Sequence, residues 1–228
     1  MEKIFKCLDN PFDSHLISGP RLYAGGEDLE TKARPHFPHL SEEIAAARLP
    51  YGRLLGLVEV NDAEKIGGTD AVDDLLTEAA RYMVDAEPQV AVSLKKGSVA
   101  YKAVYPDNLQ TYTRLRKADA PARFEALKEV MENHGGTLPP EMKSIMSGFR
   151  AAWDDARAAQ NAAEGKLAGS RTERDAARKK LETVLFKALL QLTIECIDDT
   201  DRVRDFIDHT ILDAHRHSSL EQPATPAV

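Results

Sequence analysis

No run of about twenty apolar residues, the length that spans a bilayer, occurs in this chain. Its longest apolar stretch, Val184 to Ile197, is broken by Lys187, Gln191 and Glu195. Cysteine is nearly missing as well. Cys7 and Cys196 are far apart and make no CxxC pair, so two reduced thiols are the expectation and a disulfide between them the alternative. The opening MEKIFKCLDNPFDSH has no apolar run ahead of its acidic and proline residues, unlike a secretory signal. Together these absences predict a soluble, cytoplasmic protein. Aromatic residues make up only 6% of the 228 positions, which suits helices better than a β-sandwich. The net charge of −7, from 30 basic and 37 acidic side chains, lacks the basic excess that nucleic-acid binding relies on. Neither nucleic acid nor membrane is expected as a partner.

The signatures of common chemistries are missing too. A phosphate cradle needs GxxxxGK[ST], but Gly165-Lys166 lacks the loop before it. GxSxG, GxGxxG and HExxH do not occur, nor does the Glu-x-x-His spacing of a diiron bundle. No cofactor is therefore expected.

Proline is absent from Met142 to Ile197, and that stretch carries the strongest pattern in the chain. Phe149, Trp153, Ala156, Ala163, Leu167, Ala177, Leu181, Val184 and Ala188 recur at steps of three and four, the seam of a long helix packed on other helices. Pro139-Pro140 opens it. Gly169 followed by Ser170-Arg171-Thr172-Glu173 could cap one helix and start another, but the heptad keeps register across that point. Continuity is the favoured reading, as a rod of roughly 80 Å at 1.5 Å per residue. An antiparallel hairpin is the alternative.

Elsewhere the pattern is more broken. Residues 1–40 read as an irregular arm, with Pro11, Pro20, Pro35 and Pro38 as breakers and a turn at Gly25-Gly26. A helix starts near Ser41, is interrupted or kinked at Pro50, and ends at Gly67-Gly68, with Tyr51 to Val60 apolar enough to be buried. Thr69 then caps a helix whose stripe runs through Val72, Leu75, Leu76, Ala79, Tyr82, Met83 and Ala86 to Pro88. Between 89 and 104, Val90, Val92 and Leu94 alternate before a turn at Lys96-Gly97. A small β-hairpin and a helix compete there on even terms. Short helices follow around Leu109, Tyr112 and Leu115, then from Asp119 to Gly135-Gly136, burying Phe124, Leu127, Val130 and Met131. Val203, Phe206, Ile207, Thr210 and Ile211 stripe a terminal helix. The expected organisation is an arm over 1–40, a helical bundle over 41–215 and a disordered tail over 216–228. The expected fold class is mainly all-α, an antiparallel bundle built on one long coiled-coil-like helix.

Several groupings could carry function. Asp205, Asp208, His209, Asp213, His215 and His217 cluster near the C-terminus, with Asp205 and His209 four apart on one helix face. Asp205, His209, His215 and His217 are the candidate metal ligands, against a solvated helix end as the plainer reading. His36 and His39 read as a surface loop. Arg171, Arg174, Arg178, Lys179 and Lys180, interleaved with Glu173, Asp175 and Glu182, read as a salt-bridged solvent face. Gln160, Ser170 and Arg174 are polar residues on the apolar seam, where such residues specify register or partner number, so they are the candidate interaction residues.

The stretch FRAAWDDARAAQNAAEGKLAGSRTERDAARKKLETVLFKALLQL, followed by DDTDRVRDFIDHTIL, resembles a group of alanine-rich helical-bundle proteins of environmental bacteria. Trp153, Arg174, Arg178, Leu181, Phe206, Asp208, Ile211 and Leu212 carry the likeness, over about residues 145–213. It implies a helical bundle and brings no activity or catalytic residue with it. The expected function is accordingly non-enzymatic: a scaffold, adaptor or assembly component with a protein partner or self-association. A metal-dependent enzyme using residues 205–217 is the alternative, and a component of a phage-like or secretion apparatus is a third.

Overall fold

The computed structural model describes residues 9–212. Expectations for Cys7, Asp213, His215, His217 and the tail from residue 216 lie outside them. Among the described residues every regular element is a helix, and the fold is an all-α helical bundle. The elements are α1 (Gly19–Ala33), α2 (Pro38–Ser93), α3 (Val99–Val104), α4 (Gln110–Thr113), α5 (Ala120–His134), α6 (Pro140–Glu195), α7 (Val203–Phe206) and α8 (His209–Leu212). Short 3-10 turns occupy Gly135–Thr137 and Thr200–Arg202. The chain forms two compact units, Met1–Val60 with Ala168–Val228, and Asn61–Leu167.

The first unit has α1, the start of α2 and the end of α6 as its main helices. Leu40, Ile44, Ala47 and Tyr51 recur at helical spacing on α2 and meet Leu181, Leu185, Ala188 and Leu192 of α6. Leu22, Leu29 and Ala33 of α1 complete this layer, and Phe206 of α7 closes it. Helix α1 corrects the reading of residues 1–40 as irregular. Pro20 sits in its first turn, where a missing N–H costs nothing. Gly25-Gly26 is likewise no turn but mid-helix. A Cβ on Gly25 would lie 2.6 Å from the Leu212 side chain, so the glycine makes room for α8. Pro50 does not end α2 either, because the buried stripe from Leu40 to Tyr51 holds the helix across it. Past Tyr51 the expected burial fails: Leu57 and Val60 are exposed.

The second unit packs α3, α4 and α5 against the rest of α2 and the start of α6. Helix α2 runs through Gly67-Gly68 and Pro88, so the expected stops are overridden by the Val72, Ala79, Met83, Ala86 and Val90 stripe. Thr69 is no cap; its hydroxyl donates back to the Lys65 carbonyl, 3.1 Å away, inside the helix. The β-hairpin alternative at 89–104 is also corrected. Val90, Leu94, Tyr101 and Val104 are buried, whereas Val92 and Val99 are exposed, which is a helical and not an alternating pattern. Lys95 and Gly97, with φ of 63° and 85°, turn the chain, and the Ser98 hydroxyl caps α3 by accepting from the Tyr101 amide at 3.1 Å.

Helix α6 is unbroken across Gly165 to Glu173, so the antiparallel hairpin alternative is set aside. Its expected seam is largely the buried one: Phe149, Trp153, Ala163, Leu167, Leu181 and Ala188 lie in the cores.

Candidate functional site

The expected acid–histidine face does not form. Ile207 adopts an extended backbone, with φ −125° and ψ 113°, which ends α7 at Phe206. Asp205 is thus exposed on α7 and His209 opens α8, so the two do not share a helix face. The one terminal helix read from the sequence is therefore two short ones. Asp208 instead turns the chain: its Oδ1 accepts from the Thr210 amide at 2.9 Å and hydroxyl at 2.6 Å. Those hydrogen bonds hold its carboxyl below the usual range. Among the described residues, no three His, Cys, Asp or Glu side chains converge as a metal site would need. His36 lies edge-on to Phe206, with ring centroids 5.9 Å apart.

The polar residues of the α6 seam have separate fates. Gln160 is buried, donates Nε2 to the Thr69 hydroxyl at 3.2 Å and accepts from Arg157. The helix backbones come close at this point, since a Cβ on Gly68 would lie 3.3 Å from Gln160 Cα. Ser170 is buried in the other unit. Arg174 is half-buried and pairs with Asp175 at 2.6 Å. Arg178, expected on a solvent face, turns inward: it pairs with the buried Glu182 at 2.6 Å and donates to the Ile17 carbonyl at 2.9 Å. The Tyr51 hydroxyl is a further partner of Arg178, yet burial still pushes that phenol above its ordinary pKa. Gln160 and Arg178 thus join α6 to neighbouring segments of their own units, while Arg174 pairs with the adjacent Asp175 on the same helix.

One group of exposed apolar residues lies at the end of α6. Phe186, Leu190 and Ile194 are four apart on one face, and Ile197 follows in the turn after the helix. Ile194 is 66% and Ile197 70% exposed, while Leu181, Leu185, Ala188 and Leu192 of the same helix are buried. Beside this face is a cavity of about 80 Å³ whose wall includes Phe37, Leu40, Gln191 and Ile194. The Gln191 side-chain oxygen, Oε1, is buried there without a hydrogen-bond partner, an uncommon condition that costs free energy. Charge is unevenly placed along the face. Lys187 sits at its start, paired with Glu43 at 2.7 Å but half exposed, and Glu195, Asp198 and Asp199 gather at its end.

No protein-family model, curated protein or solved structure matches the chain.

Proposed function

We propose that the protein is a non-enzymatic helical scaffold that pairs with a second copy of itself through the apolar face at the end of α6. The observation that carries this reading is the exposure of Leu190 and Ile194 on one side of α6, with Ile197 exposed in the turn that follows. Solvent-facing isoleucines are unremarkable singly, but a contiguous set at three- and four-residue steps is the spacing with which helices pack on each other. A second copy suits the charge pattern. Laid antiparallel, the Lys187 end of each helix meets the Glu195, Asp198 and Asp199 end of the other, so both ends gain opposite charges. A parallel arrangement would set like against like.

The test is the molar mass in solution by light scattering over a range of concentrations. The chain weighs 25.2 kDa, and the mass should climb towards twice that value as concentration rises. Ile194→Asp should hold it at the single-chain mass with an unchanged helical spectrum, since that side chain is mostly outside the core. A single-chain mass at every concentration, or full pairing by the variant, would sink the proposal.

A further inference from the structure

In the second unit, the connection from Tyr105 to Asp119 and the first two turns of α5 line an open hollow of about 580 Å³. That volume is in the usual range for a small organic ligand. Its wall holds three arginines, Arg114, Arg116 and Arg123, with Asp107, Asp119 and Thr111 among the remaining polar groups.

Arg123 is held in place before any ligand arrives. Its Nη2 donates to the carbonyl oxygens of Ala103, at 2.7 Å, and Val104, and lies 3.1 Å from the Tyr112 hydroxyl oxygen. Its guanidinium carbon is 5.2 Å from the centre of the Tyr112 ring. All those partners are neutral, and no carboxylate pairs with Arg123 among the described residues. Its Nε is buried with no hydrogen-bond partner. The charge of Arg123 is therefore fixed in position and uncompensated, with Nη1 not engaged by any protein acceptor. The Arg114 side chain likewise has no hydrogen bond or ion pair among the described residues. Arg116 is occupied, by Asp119 at 2.9 Å.

Two arginines without carboxylate partners on one hollow suit a doubly charged anion, because the guanidinium fork matches phosphoryl oxygens and its charge is constant with pH. The two aspartates argue against a bare anion. Asp107 and Asp119 are acceptors that would repel a phosphate placed near them but would take hydrogen bonds from hydroxyl groups. Thr111 adds a hydroxyl of its own, whose oxygen already accepts from the Asp107 amide at 3.0 Å. We propose that this hollow binds a phosphorylated polyhydroxy compound, its phosphoryl group on Arg114 and Arg123 and its hydroxyls on Asp107 and Asp119. The site is separate from the pairing face and does not depend on it.

Titration calorimetry with ribose 5-phosphate, inorganic phosphate and ribose tests this on the full chain. Ribose 5-phosphate should bind saturably and more tightly than inorganic phosphate, and ribose should not bind. Arg114→Gln changes an exposed side chain and should leave the helical spectrum intact while weakening ribose 5-phosphate by about tenfold or more. Asp107→Asn should weaken ribose 5-phosphate while sparing inorganic phosphate. No saturable binding of ribose 5-phosphate, equal binding of ribose, or indifference to Arg114→Gln would overturn the site. Equal affinity for inorganic phosphate would overturn the polyol assignment.

Discussion

The two units solve the same packing problem with different chemistry. In the unit of Met1–Val60 and Ala168–Val228, the aliphatic layer surrounds a buried ionic cluster. Glu30 of α1 and Arg48 of α2, each with its side chain 7% exposed, meet at 2.8 Å. Arg34 reaches the other Glu30 oxygen at 2.6 Å, Glu27 accepts from Arg48 at 3.2 Å, and Tyr23 lies under the Arg48 guanidinium at 4.7 Å. In the Asn61–Leu167 unit no charged side chain is buried, and aromatic rings fill the core. Phe124 packs against Phe149 and Trp153, with ring centroids 5.7 and 6.1 Å away, and Tyr105 lies between Tyr101 and Tyr112. The polar atoms among those rings are phenol hydroxyls: Tyr105 and Tyr112 donate to the backbone carbonyls of Met83 and Val104, and Tyr101 donates to the Glu87 carboxylate. One core is held by mutual charge compensation, which fails when either partner is lost; the other is held by volume.

The largest effects should separate the two on that ground. Arg48→Met leaves Glu30 charged in the core with only Arg34 beside it, and removing one member of a buried pair costs about 3–5 kcal/mol. Replacing Glu30 with Met as well should restore most of that loss, because no unpaired charge remains. Trp153→Ala should cost a similar amount, about 3–5 kcal/mol, but by leaving a cavity that no second polar substitution can repair. Urea denaturation combined with residue-resolved hydrogen exchange reads both. A double Glu30→Met, Arg48→Met variant no better than the single one would break the comparison.

Smaller effects concern the phenols. The Tyr105 hydroxyl donates to the Met83 carbonyl at 2.7 Å, and Tyr105→Phe should cost about 1–3 kcal/mol by orphaning that buried acceptor. The same chemistry makes the aromatic unit sensitive to alkali. Burial, together with a 2.6 Å hydrogen bond to Glu87, pushes the Tyr101 phenol up to about 12 from an ordinary value near 10. A raised pKa stabilises the fold fully below pH 10, and the stabilisation fades as pH rises towards 12. Burial likewise raises Tyr82, Tyr105 and Tyr112 in this unit, whereas only Tyr51 is raised in the ionic one. Exchange protection measured over that pH range should therefore fall first around Met83 and Val104. Equal loss in both units would show that the phenols do not set the alkaline limit.

These contrasts were only partly legible in the sequence. The α6 seam was, because Phe149, Trp153, Leu167, Leu181 and Ala188 repeat at helical spacing over a proline-free stretch. Local breakers misled: Gly25-Gly26, Pro50, Gly67-Gly68 and Pro88 all lie inside helices, since burial of a continuous stripe outweighs the cost of one poor residue. The Glu30–Arg48 pair joins residues on two helices, one of them read as irregular, so no local spacing revealed it. Leu190, Ile194 and Ile197 were visible as apolar, but periodicity cannot say which of two apolar faces on one helix meets the core. The arginine hollow leaves only a trace in the sequence: Arg114, Arg116 and Lys117 are three basic residues in four. Its decisive member, Arg123, comes from the next helix and joins them only through the fold.

The smallest predicted effect is one where the two units should agree. Gly169 belongs to the ionic unit and Gly165 to the aromatic one, and a Cβ built on either meets nothing within 4 Å. Both lie mid-helix in α6, so alanine there gains helix propensity and restricts the unfolded chain, worth about 0.5–1 kcal/mol at each site. The effects should add, because neither side chain touches a core. Gly68→Ala is the control. The same propensity gain is opposed by the 3.3 Å approach to Gln160 Cα, a backbone atom that cannot swing aside as a side chain would. Gly165→Ala and Gly169→Ala should therefore raise the urea midpoint, and Gly68→Ala should fail to. If Gly68→Ala stabilised as much as the other two, the close helix contact at Gln160 would not be tight, and propensity alone would govern all three glycines.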